Sequence, residues 1–173
     1  MNGLQKVILA FLILSHPTTS VVCAQNEFSK SAISIGVVVE DLKESVEFYC
    51  DVVGMVEVRE FSVNAEKATT MGLSDGEHFD VKVLKLENSE EAAELKLMSF
   101  GKKSSHRNQA FIPDENGIRY LTIFVKSMKP LIDRIAKSGT KTLGQTPTML
   151  DAQRQFVLIQ DPDGNFLEFI GPQ

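Results

Sequence analysis

The chain has 173 residues, 43% of them hydrophobic and 24% charged, the balance of a soluble domain long enough to bury a substantial core. That excludes a disordered chain, a disulfide-stapled miniprotein and a multi-span membrane protein. With 18 Lys and Arg against 23 Asp and Glu, the formal charge is −5, so there is no basic field to neutralise a phosphate backbone, and nucleic acid is not an expected partner.

Residues 1–24 have the layout of a secretory leader: Lys6 near the start, an apolar run from Val7 to Leu14, then a polar stretch with Pro17 that ends in small residues. Val22-Cys23-Ala24 is a workable processing site and predicts a mature start at Gln25. The apolar run is far shorter than the roughly 20 residues needed to cross a bilayer, so export without stable membrane insertion is expected. A retained lipid anchor at Cys23 is the alternative, and Val22 just before it argues against that reading. Cleavage would leave 17 basic and 23 acidic residues and a lone thiol, Cys50. One cysteine forms no internal disulfide, and its apolar helical surroundings predict a packed side chain.

Residues 25–32 read as a linker. Ile33 to Val39 is a β-branched strand, and Asp41 can cap the helix after it, in which Leu42, Val46, Tyr49 and Val53 recur at helical spacing until Gly54 stops it. Alternating residues predict strands over Met55 to Val63, Phe79 to Glu87 and Glu94 to Phe100. Asn64 to His78 reads as a long irregular connection, and Gly101 to Gly117 as a polar one carrying Lys102, Lys103, His106 and Arg107.

Sliding the chain on itself by 86 residues lays Ile35-Gly36-Val37-Val38-Val39-Glu40-Asp41-Leu42 over Leu121-Thr122-Ile123-Phe124-Val125-Lys126-Ser127-Met128. Pro130 then falls in the first turn of a second helix with the apolar stripe Leu131, Ile132 and Ile135, ended by Gly139. Strands around Thr140 to Thr146, Arg154 to Gln160 and Asn165 to Ile170 complete the unit, the last two joined by the turn Asp161-Pro162-Asp163-Gly164-Asn165. The expectation is an α+β fold: two tandem βαβββ modules, 33–100 and 118–172, in one domain of residues 33–172, with inner sheet faces enclosing a cavity.

In this order, Ile35 to Leu42, then Phe48-Tyr49 with Val52-Val53-Gly54-Met55, and the ending Asp161 to Phe169 resemble the vicinal oxygen chelate superfamily. That superfamily includes glyoxalase I, bleomycin resistance proteins and extradiol dioxygenases. The resemblance implies a cavity between the modules and, in family enzymes, a divalent metal held by one side chain from the first and one from the last strand of each module. By strand alternation the cavity side carries Ser34, Gly36, Val38, Tyr120 and Thr122. Ser34 and Tyr120 stand where metal-binding relatives place histidines, and neutral hydroxyls compete poorly with imidazole for zinc, nickel or iron. Glu168 matches the family's carboxylate position. Its counterpart in the first module is Lys96, or Glu94 if the register slips by two residues, and both face inward.

Glu168 is therefore the one family-matching metal ligand, and no metal or other cofactor is expected, although a divalent ion is not excluded. An ammonium at Lys96 beside Glu168 would take the place of the ion, with Tyr120 and Ser34 as hydrogen-bonding neighbours. His78 and His106 lie on connections and read as solvated loop residues, alternatively as replacement ligands or general bases.

Three functions fit this reading. The first is binding of a small organic ligand in the cavity without the usual metal set, as in bleomycin resistance. The second is lyase, isomerase or dioxygenase chemistry of the lactoylglutathione-lyase type, with Glu168 and Lys96 as the candidate catalytic residues. The third is an interaction module whose cavity is filled by Phe79, Phe124, Phe156 and Phe166. Export weighs against a glutathione-dependent reaction, since that thiol is chiefly cytosolic, and the resemblance also makes a homodimer an expectation.

Overall fold

The computed structural model describes residues 28–103 and 107–173. The expected leader, its processing site and His106 lie outside the described residues.

Two four-stranded mixed sheets with helices make the α+β architecture. In the first module β1 (Ser34–Val38), β2 (Val56–Val63), β3 (Phe79–Lys85) and β4 (Glu94–Ser99) are ordered β1-β4-β3-β2, with β1 parallel to β4 and the other pairs antiparallel. The second module repeats this with β5 (Tyr120–Phe124), β6 (Thr148–Met149), β7 (Arg154–Gln160) and β8 (Phe166–Pro172), ordered β5-β8-β7-β6. Each parallel pair needs a crossover, and the helices supply it.

The first helix starts as expected, with the Asp41 carboxylate accepting from the amides of Lys43 and Glu44. It is α-helical only as α1 (Leu42–Glu47) and continues as a π-helical stretch over Phe48–Val53, which Gly54 ends at φ 93°. The wider turn still buries Tyr49, Val52 and Val53, so the apolar stripe read from the sequence holds while the helix type differs. The helix of the second module is α3 (Met128–Ser138), with Met128, Leu131 and Ile135 buried.

Two connections depart from expectation. Asn64 to His78 is not irregular throughout: the Asn64 side chain accepts from the Lys67 amide and caps α2 (Ala65–Thr70). This helix lays Ala68 over Phe79, Val81 and Val83 in a second small core. The strand expected over Thr140 to Thr146 is reduced to a bridge between Thr142 and Ile159, and the sixth strand forms later, at β6.

Ile35, Val37, Leu95 and Leu97 from the first sheet share one core with Ile123, Leu167 and Phe169 from the second, packed on the two helices. Across the junction the Arg134 side chain of α3 donates to the carbonyls of Val52 and Val53, at 2.9 and 3.0 Å, satisfying the end of the π-helical stretch. The fully buried Tyr49 hydroxyl donates to Asp161 Oδ2 at 2.8 Å. Asp161 also accepts from the amides of Asp163 and Asn165 and from the Asn165 side chain, which folds the turn expected between β7 and β8. Asp163 in turn accepts from the Glu40 amide at 2.9 Å, so the second module's turn holds the entry to the first module's helix.

Candidate functional site

One side of each sheet packs on α1 and α3, and the opposite side of the first sheet carries α2 over its β2–β3 end, where Ala68 meets Phe79, Val81 and Val83. Strand alternation puts Ser34, Gly36 and Val38 of β1 on the face opposite α1 and α3, and the β1–β4 register places Glu94 beside Ser34 and Lys96 beside Gly36. In the second module Tyr120, Thr122 and Phe124 share that face, with Glu168 beside Thr122. Gly36 and Thr122 correspond under the 86-residue repeat, so their partners, Lys96 and Glu168, hold equivalent positions. The alternative register would require Glu94 opposite Gly36, and Glu94 lies opposite Ser34.

The side chains form two separate polar groups. In the first, Glu94 accepts from Ser34 Oγ at 3.0 Å and from Arg59 Nη2 at 3.1 and 3.2 Å, with Lys96 Nζ at 3.9 Å. Burial pushes the Glu94 carboxyl up, but the Ser34 hydroxyl and the Arg59 guanidinium outweigh it and hold the group below its ordinary value. In the second, Glu168 accepts from the Thr122 hydroxyl at 2.9 Å.

The expected ion pair between Lys96 and Glu168 is not made. Each group faces its own module: Glu168 accepts from Thr122, and Lys96 lies 3.9 Å from Glu94, an ionic contact too long for a hydrogen bond. Nor do Ser34 and Tyr120 gather around an ammonium: Ser34 bonds to Glu94, and the Tyr120 side chain is nearly half exposed.

Arg59 is the side chain of this face that alternation alone misses. A bulge between Glu57 and Arg59 advances β2 by one residue, so Glu57 and Glu60 both reach Lys82 on the side of α1 and α3 while Arg59 and Phe61 turn to the opposite face. Reading β2 as strictly alternating hides that switch. The signal present in the sequence is Glu57 and Glu60 three residues apart in a strand, an odd spacing for two acids on one face.

Away from α2 this face is open rather than enclosed. β1 and β5, each at one edge of its sheet, line a common hollow of about 150 Å³ that takes Gly36 and Tyr120 from the expected set, with Tyr49, Arg119 and Phe166. Larger hollows lie elsewhere, one of about 630 Å³ between the π-helical stretch and residues 138–143. Of the four phenylalanines expected to fill a cavity, Phe79 and Phe166 are buried and Phe156 is half-buried, but Phe124 is 71% exposed. Phe166 lies under the Arg119 guanidinium, 5.8 Å from its ring centre. His78 is exposed in the connection before β3, away from these groups.

The sequence model of the glyoxalase/bleomycin resistance protein/dioxygenase superfamily matches residues 32–169, which span both modules. The chain belongs to this superfamily. Among solved structures, a glyoxalase family protein from Bacillus cereus is similar at 14% identity and a TM-score of 0.70, over 87% of this chain and 98% of that one. The trypanothione-dependent glyoxalase I of Leishmania major is similar at 19% identity and a TM-score of 0.55, over 83% and 87%. A glyoxalase/bleomycin resistance/dioxygenase domain from a Frankia species follows at 18% identity and 0.57, over 81% and 95%. At these identities the likeness concerns the fold alone. Comparison with curated protein sequences gives no significant match.

Superfamily members commonly bind divalent metals, and the residues here do not fit one. Among the described residues no three His, Cys, Asp or Glu side chains converge. The four positions carry a serine hydroxyl already bonded to Glu94, a phenol, an ammonium and one carboxylate. The ammonium at the position equivalent to Glu168 repels a cation, and the two hydroxyls are weak donors near neutral pH.

Proposed function

We propose that the protein is an exported member of the superfamily that binds a small organic molecule on the sheet face opposite α1 and α3, where its two modules meet, without a divalent metal. The observation that carries this reading is Lys96, an ammonium in the β4 position equivalent to Glu168 in β8. A metal-dependent lyase would place its Lewis acid among these positions, and a cation is already built into them. What the face does offer is hydrogen-bonding groups beside exposed apolar ones, Val38, Tyr120 and Phe124, the mixture that binds and orients small ligands. Export rests on the leader-like residues 1–24 and on the processing site before Gln25.

The test is a screen of small organic molecules by amide chemical-shift mapping on residues 25–173 in buffer containing EDTA. Ligand binding is expected to shift the amides of Gly36, Lys96, Thr122 and Glu168 together. Hits that act only after EDTA is replaced by nickel, zinc or manganese would overturn the metal-free reading.

A further inference from the structure

We infer that the ligand of this face is a monoanion, a small carboxylate with an apolar body, and that Lys96 holds its charged end. The inference rests on the binding reading above and adds the chemical class of the ligand.

Unlike Lys82, Lys85 and Lys103, Lys96 makes no hydrogen bond through its ammonium among the described residues, where its one ionic contact is with Glu94 at 3.9 Å. Lys82 reaches Glu57 at 2.9 Å, Lys85 the Ser89 carbonyl at 2.7 Å and Lys103 the Glu40 carboxylate at 2.8 Å. The Lys96 side chain is two-thirds withdrawn from water, at 33% exposure, yet its nearest carboxylate oxygen is 3.9 Å away, beyond a hydrogen bond. No acceptor for its ammonium appears among the described residues. Glu94 does not fill that role because it is committed elsewhere: both of its oxygens meet Arg59 Nη2, and one also takes the Ser34 hydroxyl. Moving Glu94 onto Lys96 would cost two charge-assisted bonds to gain one.

Charge count sets the valence of the ligand. In the first module's polar group Arg59 and Lys96 against Glu94 leave one net positive charge, while Glu168 is a separate negative charge in the second module's group, so the anionic end of the ligand belongs at Lys96. A single carboxylate balances that positive charge, whereas a phosphate dianion would overcharge the site next to Glu94. The apolar body follows from the neighbours: beside β4 lies β1 with Val38, 48% exposed, and β5 presents Tyr120 and Phe124. In the second module Glu168 accepts one bond from Thr122, leaving carboxylate acceptor capacity for a hydroxyl or amide of the same ligand.

The experiment titrates residues 25–173 with benzoate, benzamide, benzylamine and phenylphosphonate, following the amides of Gly36, Lys96, Thr122 and Glu168. Benzoate is expected to bind most tightly. Lys96→Met, which keeps the stem and removes the charge, should weaken benzoate by about 10-fold to 100-fold with little effect on benzamide. Lys96→Arg should retain most of the affinity, and unchanged melting temperatures would show that the fold is intact. Benzamide or benzylamine binding this face as well as benzoate would overturn the inference while leaving a small-molecule face standing. Phenylphosphonate binding more tightly than benzoate would overturn the choice of a monoanion. Shifts from none of the four probes at these amides, with another compound class shifting them, would likewise refute the carboxylate and spare the broader reading. Benzoate affinity unchanged in Lys96→Met would remove Lys96 from the site.

Discussion

Tyr49→Phe tests how the two modules are joined. The Tyr49 ring is wholly buried, so phenylalanine fits the same space and the change removes one oxygen and its bond to Asp161. A hydrogen bond to a charged acceptor contributes about 1.5–3 kcal/mol. Asp161 keeps three other donors, the amides of Asp163 and Asn165 and the Asn165 side chain, which puts the cost in the lower part of that range, about 1.5–2 kcal/mol. For a chain of this size that lowers the melting temperature by roughly 3–8 °C.

The cost should also depend on pH. Burial raises the Asp161 carboxyl above its ordinary value of 3.8, against the pull of the Asn165 and Tyr49 hydrogen bonds. A raised carboxyl contributes stability below its unfolded value and loses it as pH rises through the folded one. Removing the Tyr49 donor raises Asp161 further and enlarges that loss. The destabilisation is therefore full above the variant's Asp161 value and shrinks as pH falls through it. Urea unfolding at pH 7.5 and at pH 4 measures both quantities. A cost below about 0.5 kcal/mol at pH 7.5, or an equal cost at both values, would refute the reasoning, because a buried, ionised acceptor cannot lose a donor at that level.

Arg134→Met leaves the Val52 and Val53 carbonyls without their donor and should cost about 2 kcal/mol, read by chemical denaturation, with protease cleavage first appearing near Gly54. Gly171→Ala should be worse than its size suggests: its Cβ would collide with the Val125 carbonyl oxygen and lie 2.6 Å from Val125 Cγ2. Backbone in the way costs about 1–3 kcal/mol, and a melting point equal to wild type would show that the β5–β8 end opens freely. Asn64→Ala removes the cap of α2 at about 1 kcal/mol, and the loss should appear as faster amide exchange at residues 67–71 before any change in the core strands.

The paired modules were legible because the 86-residue repeat carries strand, cap and helix together, and each half needs the same apolar alternation to cover its helix. Lys96 and Glu168 were legible for the same reason: Gly36 pairs with Lys96 as Thr122 pairs with Glu168. Three features were not. The π-helical widening at Phe48–Val53 changes the turn without changing which residues are apolar. Helix α2 is short and polar along most of its length, so its one buried residue, Ala68, gives almost no periodic signal, and tertiary packing on Phe79 and Val81 decides it. The β2 bulge moves Arg59 to the functional face, and with it goes the partner that draws Glu94 away from Lys96. The misplaced ion pair between Lys96 and Glu168 came from pairing two equivalent positions across the modules, whereas Glu168 accepts from Thr122 in its own module and Lys96 stands 3.9 Å from Glu94 in its own.

The central claim is that a fold commonly built around a divalent ion here works without one, and elemental analysis addresses it directly. Residues 25–173 purified without chelator should carry far less than one equivalent of nickel, zinc, manganese or iron per chain, and titration with each should leave the melting temperature unmoved. About one tightly held ion per chain, lost in Glu168→Ala and kept in Lys96→Ala, would contradict the account and restore metal chemistry to this face.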